Sequence, residues 1–199
     1  MNYIKIKNQG YIDCNSKFYS VLDILEETVE YDFKPGVNKL FGEIDSGIFG
    51  ISFLISMYKY IDKQMLYAPQ IACVDDKIIT LKELSNYACY MDITFPLFST
   101  NRSISQLVEV GLKKNKISKT KEDIRDLFQL DGDRFNLPVK KNGNEMFRAM
   151  AAIGFCFEKQ IFCFPWLSKK RFDSYGKNIT WLLDNLALQN KIVILPIGL

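Results

Sequence analysis

In this 199-residue sequence the stretch that comes nearest to a chemical motif is Leu40 to Ser52, Leu-Phe-Gly-Glu-Ile-Asp-Ser-Gly-Ile-Phe-Gly-Ile-Ser. An apolar run enters a glycine-bracketed turn and leaves it as a helical pattern. Gly42 and Gly47 stand at the spacing of the two glycines in G-x-x-x-x-G-K-[ST]. In such a loop backbone N–H groups cradle phosphate, a lysine reaches the terminal phosphates and a hydroxyl holds magnesium. Here Ile48 occupies the lysine position and Phe49 the hydroxyl position, with Asp45 and Ser46 inside the loop. The N–H groups and the helix N-terminus are what remains to attract an anion. Glu43 and Asp45 oppose it, since two like charges at about 4 Å cost ~1 kcal/mol in water.

Composition removes other chemistries. No histidine occurs, which excludes Ser-His-Asp and Cys-His nucleophiles, imidazole metal sites and imidazole proton shuttles. The five cysteines, Cys14, Cys73, Cys89, Cys156 and Cys163, are odd in number and contain no Cys-x-x-Cys pair. That pattern predicts free thiols and no structural zinc. A net charge of +3, with no basic stripe interleaved with aromatics, argues against nucleic acid as a partner. The lysine run from Lys113 to Lys121 reads as a solvated face. Met1 to Lys7 lacks the apolar segment of a signal peptide, and the longest apolar runs fall short of the roughly 20 residues of a spanning helix. A cytoplasmic protein is expected.

Periodicity supplies the elements that would position the loop. Ile4 and Ile6 alternate with lysines, and Val29, Tyr31 and Phe33 alternate with charged residues, giving two strands. After the turn at Pro35-Gly36, Asn38 to Phe41 reads as a buried strand leading into the loop, and Ile48 to Ile61 as a buried helix, apolar nearly all round. Met65 to Val74 and Lys77 to Thr80 predict a small antiparallel layer. Lys82 to Asn86 reads as a polar link to a strand at Tyr87 to Met91 that stops at Asp92. Helical faces recur at Ser103 to Leu112 and Lys121 to Leu130. The polar turn Lys140 to Asn144 precedes a helix over Glu145 to Phe157, where Arg148 is placed to pair with Glu145 at i and i+3. Ile161 to Phe164 is a short apolar strand, closed by Pro165-Trp166. Lys169 to Lys177 reads as a charged loop, Ile179 to Gln189 as a helix and Ile192 to Leu195 as a last buried strand. Alternating helices and apolar strands predict an α/β domain with a mainly parallel sheet.

Taken in order, these matches resemble the ATP-binding cassette family, the nucleotide-binding subunits of ABC transporters, over nearly the whole chain. Lys34-Pro35-Gly36 and Leu40-Phe41-Gly42 look like the approach to its phosphate loop, and Asp92 takes the place of its glutamine-loop glutamine. Asn142-Gly143-Asn144-Glu145 with Arg148 resembles the signature turn S-G-G-[QE], its arginine and the small-residue helix behind it. At family spacing Ile161 to Phe164 falls on the Walker B strand, whose aspartate and glutamate become Pro165 and Trp166. Ser168 to Asp173 falls on the D-loop, and Ile192 to Leu195 on the strand before the switch histidine. The resemblance implies an α/β P-loop NTPase-like core with a mainly parallel sheet, a small antiparallel β layer and a helical subdomain near residues 93–140, all in one domain over 1–199.

The departures remove one activity. An ATP site needs a lysine on the terminal phosphates, a hydroxyl and an aspartate on magnesium, and a carboxylate on water; those positions read Ile48, Phe49, Pro165 and Trp166. Three functions follow as expectations. The first is a noncatalytic ABC-type scaffold or regulator without a cofactor. It would pair with itself, with an active ABC ATPase subunit or with a membrane permease, and so lie at the inner face of the membrane through that partner. The second is a divergent ATPase that uses ATP and Mg through Asp45, Asp92 or a group lent by a partner. The third is a stand-alone binding protein on an ABC-like fold.

Overall fold

The computed structural model describes residues 1–8, 12–15, 20–23, 29–42, 48–60 and 71–199. The expected strand residues 65–70, the end of the first helix at Ile61 and the loop interior 43–47 lie outside them. The strands and helices run β1 (Ile4–Asn8), β2 (Ile12–Asn15), β3 (Ser20–Asp23), β4 (Val29–Phe33), β5 (Gly36–Phe41), α1 (Ile48–Met57), β6 (Ile71–Val74), β7 (Lys77–Thr80), α2 (Leu81–Tyr87), β8 (Ala88–Tyr90), α3 (Ile104–Lys114), α4 (Lys121–Leu127), α5 (Gly132–Phe135), α6 (Met146–Cys156), β9 (Ile161–Cys163), α7 (Lys169–Leu188) and β10 (Ile192–Ile197).

The alternation in β1 builds an antiparallel sheet in the order β4-β1-β6-β7. Ile4 opposite Phe33 and Ile6 opposite Tyr31 face inward, while Lys5 faces out beside Asp32 at 3.8 Å. Asp75 and Asp76 turn β6 into β7 with both φ values positive, 46° and 65°, the geometry of a tight two-residue hairpin. Asp75 also accepts from the N–H groups of Asn2 and Tyr3, tying the first residues to that hairpin. A β2-β3 ribbon stands apart from both four-stranded sheets.

The second sheet is parallel throughout, in the order β5-β10-β9-β8. β8, β9 and β10 are wholly buried, as continuous apolar strands covered on both faces must be. Neighbouring residues show which helix covers which face. Phe162 meets Gly154 of α6, where an added Cβ would stand 2.9 Å from the Phe162 ring. Tyr90, in register with Cys163 and so on the opposite face from Phe162, packs edge-on against Phe53 of α1 at 5.6 Å. The sheet therefore lies between α1 and α6.

Three expectations change. Asn38 to Phe41 lies in an edge strand among the described residues, with Phe41 61% exposed, because β10 alone pairs with it there. Lys82 to Asn86 belongs to α2: Thr80 Oγ1 accepts from the Glu83 N–H and the Glu83 carboxylate accepts from the Thr80 N–H. This capping box starts a helix that buries Leu81 and Leu84, and the strand begins only at Ala88. Lys169 to Lys177 is helical as well. Ser168 caps α7, and Gly176, at φ 49° and ψ −137°, kinks it where the loop was expected to end.

Candidate functional site

The carboxyl ends of β5, β10, β9 and β8 deliver Gly42, Gly198, Phe164 to Trp166 and Asp92 to one edge of the parallel sheet. α1 starts nearby at Ile48. Crevices at this end of an open α/β sheet are where such folds take ligands. Gly42 is held on two sides: its N–H donates to the Ile197 carbonyl at 3.1 Å, and its own carbonyl accepts from the Trp166 indole Nε1 at 3.2 Å. Trp166 thus reaches from the end of β9, past β10, to the end of β5.

The chain around it is closely tied. Phe164 N–H donates to Ile194, Leu167 N–H to Pro196 and Gly198 N–H to Leu167, at 2.9, 3.1 and 2.9 Å. Gly198 lies so near the indole that an added Cβ would stand 2.6 Å from Trp166 Cζ2. Only glycine fits there. Phe164 is fully buried and begins an aromatic chain through Phe147 to Tyr175, each ring pair 5.3 Å apart.

Of the loop residues singled out in sequence, Asp45, Ser46 and Gly47 lie outside the described residues. Phe49 belongs to α1, but its side chain is likewise outside them. Ile48, expected at the lysine position, is 8% exposed at the start of α1. Pro165 and Trp166, both half-buried, bring no carboxylate to the end of β9. Asp92 does not reach toward the loop chemistry: its Oδ1 accepts from the N–H and the hydroxyl of Thr94, at 2.9 and 2.7 Å, closing its own turn. Ile48, Pro165 and Trp166 offer no side-chain oxygen or cation to magnesium or a phosphate. No cluster of three metal-ligating residues occurs among the described residues.

The signature-like residues form a corner of their own. Asn142 is fully buried and donates from Nδ2 to the Pro138 carbonyl at 3.0 Å, while its Oδ1 has no partner. Gly143 to Glu145 make a 3-10 turn leading into α6. Arg134 of α5 gathers the turn, donating to the Asn142 carbonyl and to Asn144 Oδ1 and lying 3.5 Å from Glu145. Glu145 also accepts from the Asp131 N–H. Arg148 is not paired with Glu145. It donates to the Gln129 carbonyl at 3.1 Å and to Asn178 Oδ1 at 2.9 Å, and its guanidinium stands 4.9 Å from the Trp181 ring centre.

The three buried thiols offer no ready nucleophile. Burial pushes the Cys89 thiol up to about 12, against the partial opposition of Lys159 and Lys191, and Cys156 to about 12 as well. Burial also raises Cys163 well above the ordinary thiol value. All three are free and sit in the core, where a protonated thiol is inert. Gly198, Arg134, Asn178 and Trp181 were not singled out from sequence. A tryptophan just after a strand hints at the first. The others depend on chain crossings that no local pattern carries.

No protein-family model and no curated protein matches the chain. Solved structures do. A protein of Pyrococcus furiosus assigned as an ABC transporter ATP-binding protein superposes with a TM-score of 0.60 at 16% identity, over 99% of this chain and 90% of that one. The ATP-binding cassette MJ0796, solved as a dimer in a post-hydrolysis state with ADP and Pi, superposes with a TM-score of 0.58 at 13% identity, over 97% and 87%. At such identities the likeness speaks for architecture alone. The chain has the α/β fold of ATP-binding cassette domains, with its parallel sheet, antiparallel sheet and helices.

Proposed function

We propose that the chain is a noncatalytic subunit on the ABC ATPase fold, acting as a scaffold or regulator through association with a partner. The observation that carries this reading is the Trp166 bond to Gly42 over Gly198. Where the family places carboxylates for metal and water, this protein has an indole that joins two strand ends. Groups that act on transition-state charge are each worth about 10²–10³ in rate, and a lysine, a hydroxyl and two carboxylates are absent from the matched positions. Asp92, one of the two carboxylates a divergent mechanism would draw on beside Asp45, is bound to Thr94, which weighs against its use in an ATP-hydrolysing alternative.

The partner is the chain itself or an intact ATPase subunit, a pairing supported by the solved dimer of the same fold. No described helix is long and apolar enough to cross a membrane, so attachment to a membrane would come through a permease partner. Calorimetric titration of purified protein with magnesium and ATP tests the reading. No binding heat up to millimolar ATP, and no phosphate release above a no-protein blank, is expected. Micromolar binding, or turnover that disappears with Gly47→Asp, would replace it with the divergent ATPase. Light scattering alone and with a candidate ATPase subunit tests the association.

A further inference from the structure

The outer edge of β5 offers a second surface. Among the described residues, β5 pairs only with β10. The N–H groups of Gly36 and Gly42 go to Lys191 and Ile197, so Gly36, Asn38 and Leu40 face β10. The N–H and C=O groups of Val37, Lys39 and Phe41 then point to the open edge. An unpaired edge of this kind is a template for another strand.

The side chains of these three residues share the sheet face that carries α7, where the Lys39 ammonium stands 5.9 Å from the Phe172 ring centre. Phe41 and Leu199 are 61% and 76% exposed. With Lys39, Lys169, Phe172 and Ile197 they line a cavity of about 180 Å³. A dry cavity of about 150 Å³ already holds benzene, so this one has room for a single leucine- or phenylalanine-sized side chain. Its charged rim is Lys39 and Lys169 against Asp173.

We propose that this edge is a strand-addition site, on which an extended segment of a partner protein pairs with Val37, Lys39 and Phe41, places an apolar side chain in the cavity and sets a carboxylate beside Lys39 and Lys169. Main-chain bonds give the affinity and alternate side chains the selectivity. Charge favours an acidic partner, since the rim sets two lysines, Lys39 and Lys169, against the single carboxylate of Asp173. The site stands whether or not the loop at Gly42 takes a nucleotide.

The test uses the full chain, isotopically labelled for amide exchange, and the acetylated, amidated peptide Thr-Leu-Thr-Glu-Thr-Leu-Thr, with a control in which lysine replaces glutamate. In the free protein the Lys39 and Phe41 amides exchange quickly while Asn38 and Leu40 are protected. Saturating peptide slows Lys39 and Phe41 by at least about tenfold, the glutamate peptide binds more tightly than the lysine peptide, and Lys39→Glu reverses that order. A variant that merely loosened the fold would weaken both peptides alike. Lys39 and Phe41 amides already protected without peptide, binding without slowed exchange at both residues, or equal affinity for the two peptides overturns the proposal.

Discussion

Around Trp166, at the carboxyl end of the parallel sheet, Ile48, Pro165 and Trp166 carry no charged side chain. The indole N–H holds the Gly42 carbonyl and the ring covers Gly198. Around Trp181, the protein's other tryptophan, the signature-like residues have kept polar side chains and spent them internally. Arg148 lies on the Trp181 ring and donates to Gln129 and Asn178, while Arg134 closes the turn from Asn142 to Glu145. The first region is joined without charged side chains. The second is charged, and its charged and polar groups are paired within the protein.

Removing the Trp166 ring is the strongest way to break this comparison. Truncating a fully buried Trp costs about 3–5 kcal/mol; a half-buried one that bridges two strand ends should cost about 2–3 kcal/mol, read as a lower urea midpoint with an unchanged slope. Trp166→Phe keeps the ring and deletes the donor, so it should cost about 1 kcal/mol, the net worth of one hydrogen bond. A Trp166→Ala protein as stable as the parent would mean that the indole joins nothing. If that variant instead gained ATP binding, Trp166 would be an occluding group over a site otherwise competent.

Arg148→Ala sharpens the other half. It leaves the Gln129 carbonyl and Asn178 without their donor and uncovers one face of Trp181, so a loss of about 1–3 kcal/mol is expected. Arg148→Lys should recover less than half of that, because an ammonium cannot keep the planar stack and both bonds together. In a Trp166→Phe background, where Trp181 is the remaining tryptophan, the Arg148→Ala change should also alter the emission. Emission left unchanged would show that the guanidinium does not stack in solution.

Local pattern carried much of the fold. The alternation of Ile4 and Ile6 with lysines marked β1, and the unbroken apolar runs at Ile161 and Ile192 marked strands covered on both faces. What failed depended on neighbours distant in sequence or on a competing local signal. Asn38 to Phe41 read as a buried strand, yet among the described residues strand order leaves β5 at an edge. Thr80 and Glu83 formed a legible capping box, but the polar residues between Lys82 and Asn86 outweighed it. Arg148 sits at helical spacing from Glu145, and the partner it takes instead lies 30 residues away at Asn178. Of the candidate site, the sequence showed only the residue types at Ile48, Pro165 and Trp166; the Trp166 bridge to Gly42 needed the β9-β10-β5 order to be visible.

The smallest expected effect uses pH to separate both regions from the rest of the chain. Hydrogen bonds from Thr80 hold the Glu83 carboxyl below its ordinary value, and those from Thr120 do the same for Asp123. A carboxyl depressed on folding stabilises fully above its unfolded pKa and loses that contribution as pH falls through the folded one. Acid should therefore weaken the caps of α2 and α4, and Glu83→Gln should flatten the acid limb of the melting profile. The bonds of Trp166 and Arg148 go to carbonyls, an amide and an aromatic ring, none of which titrates. The Trp166→Phe and Arg148→Ala losses should then stay constant from about pH 7 to about pH 3, and a loss that shrinks in acid would mean that a carboxylate acts directly on Trp166 or Arg148.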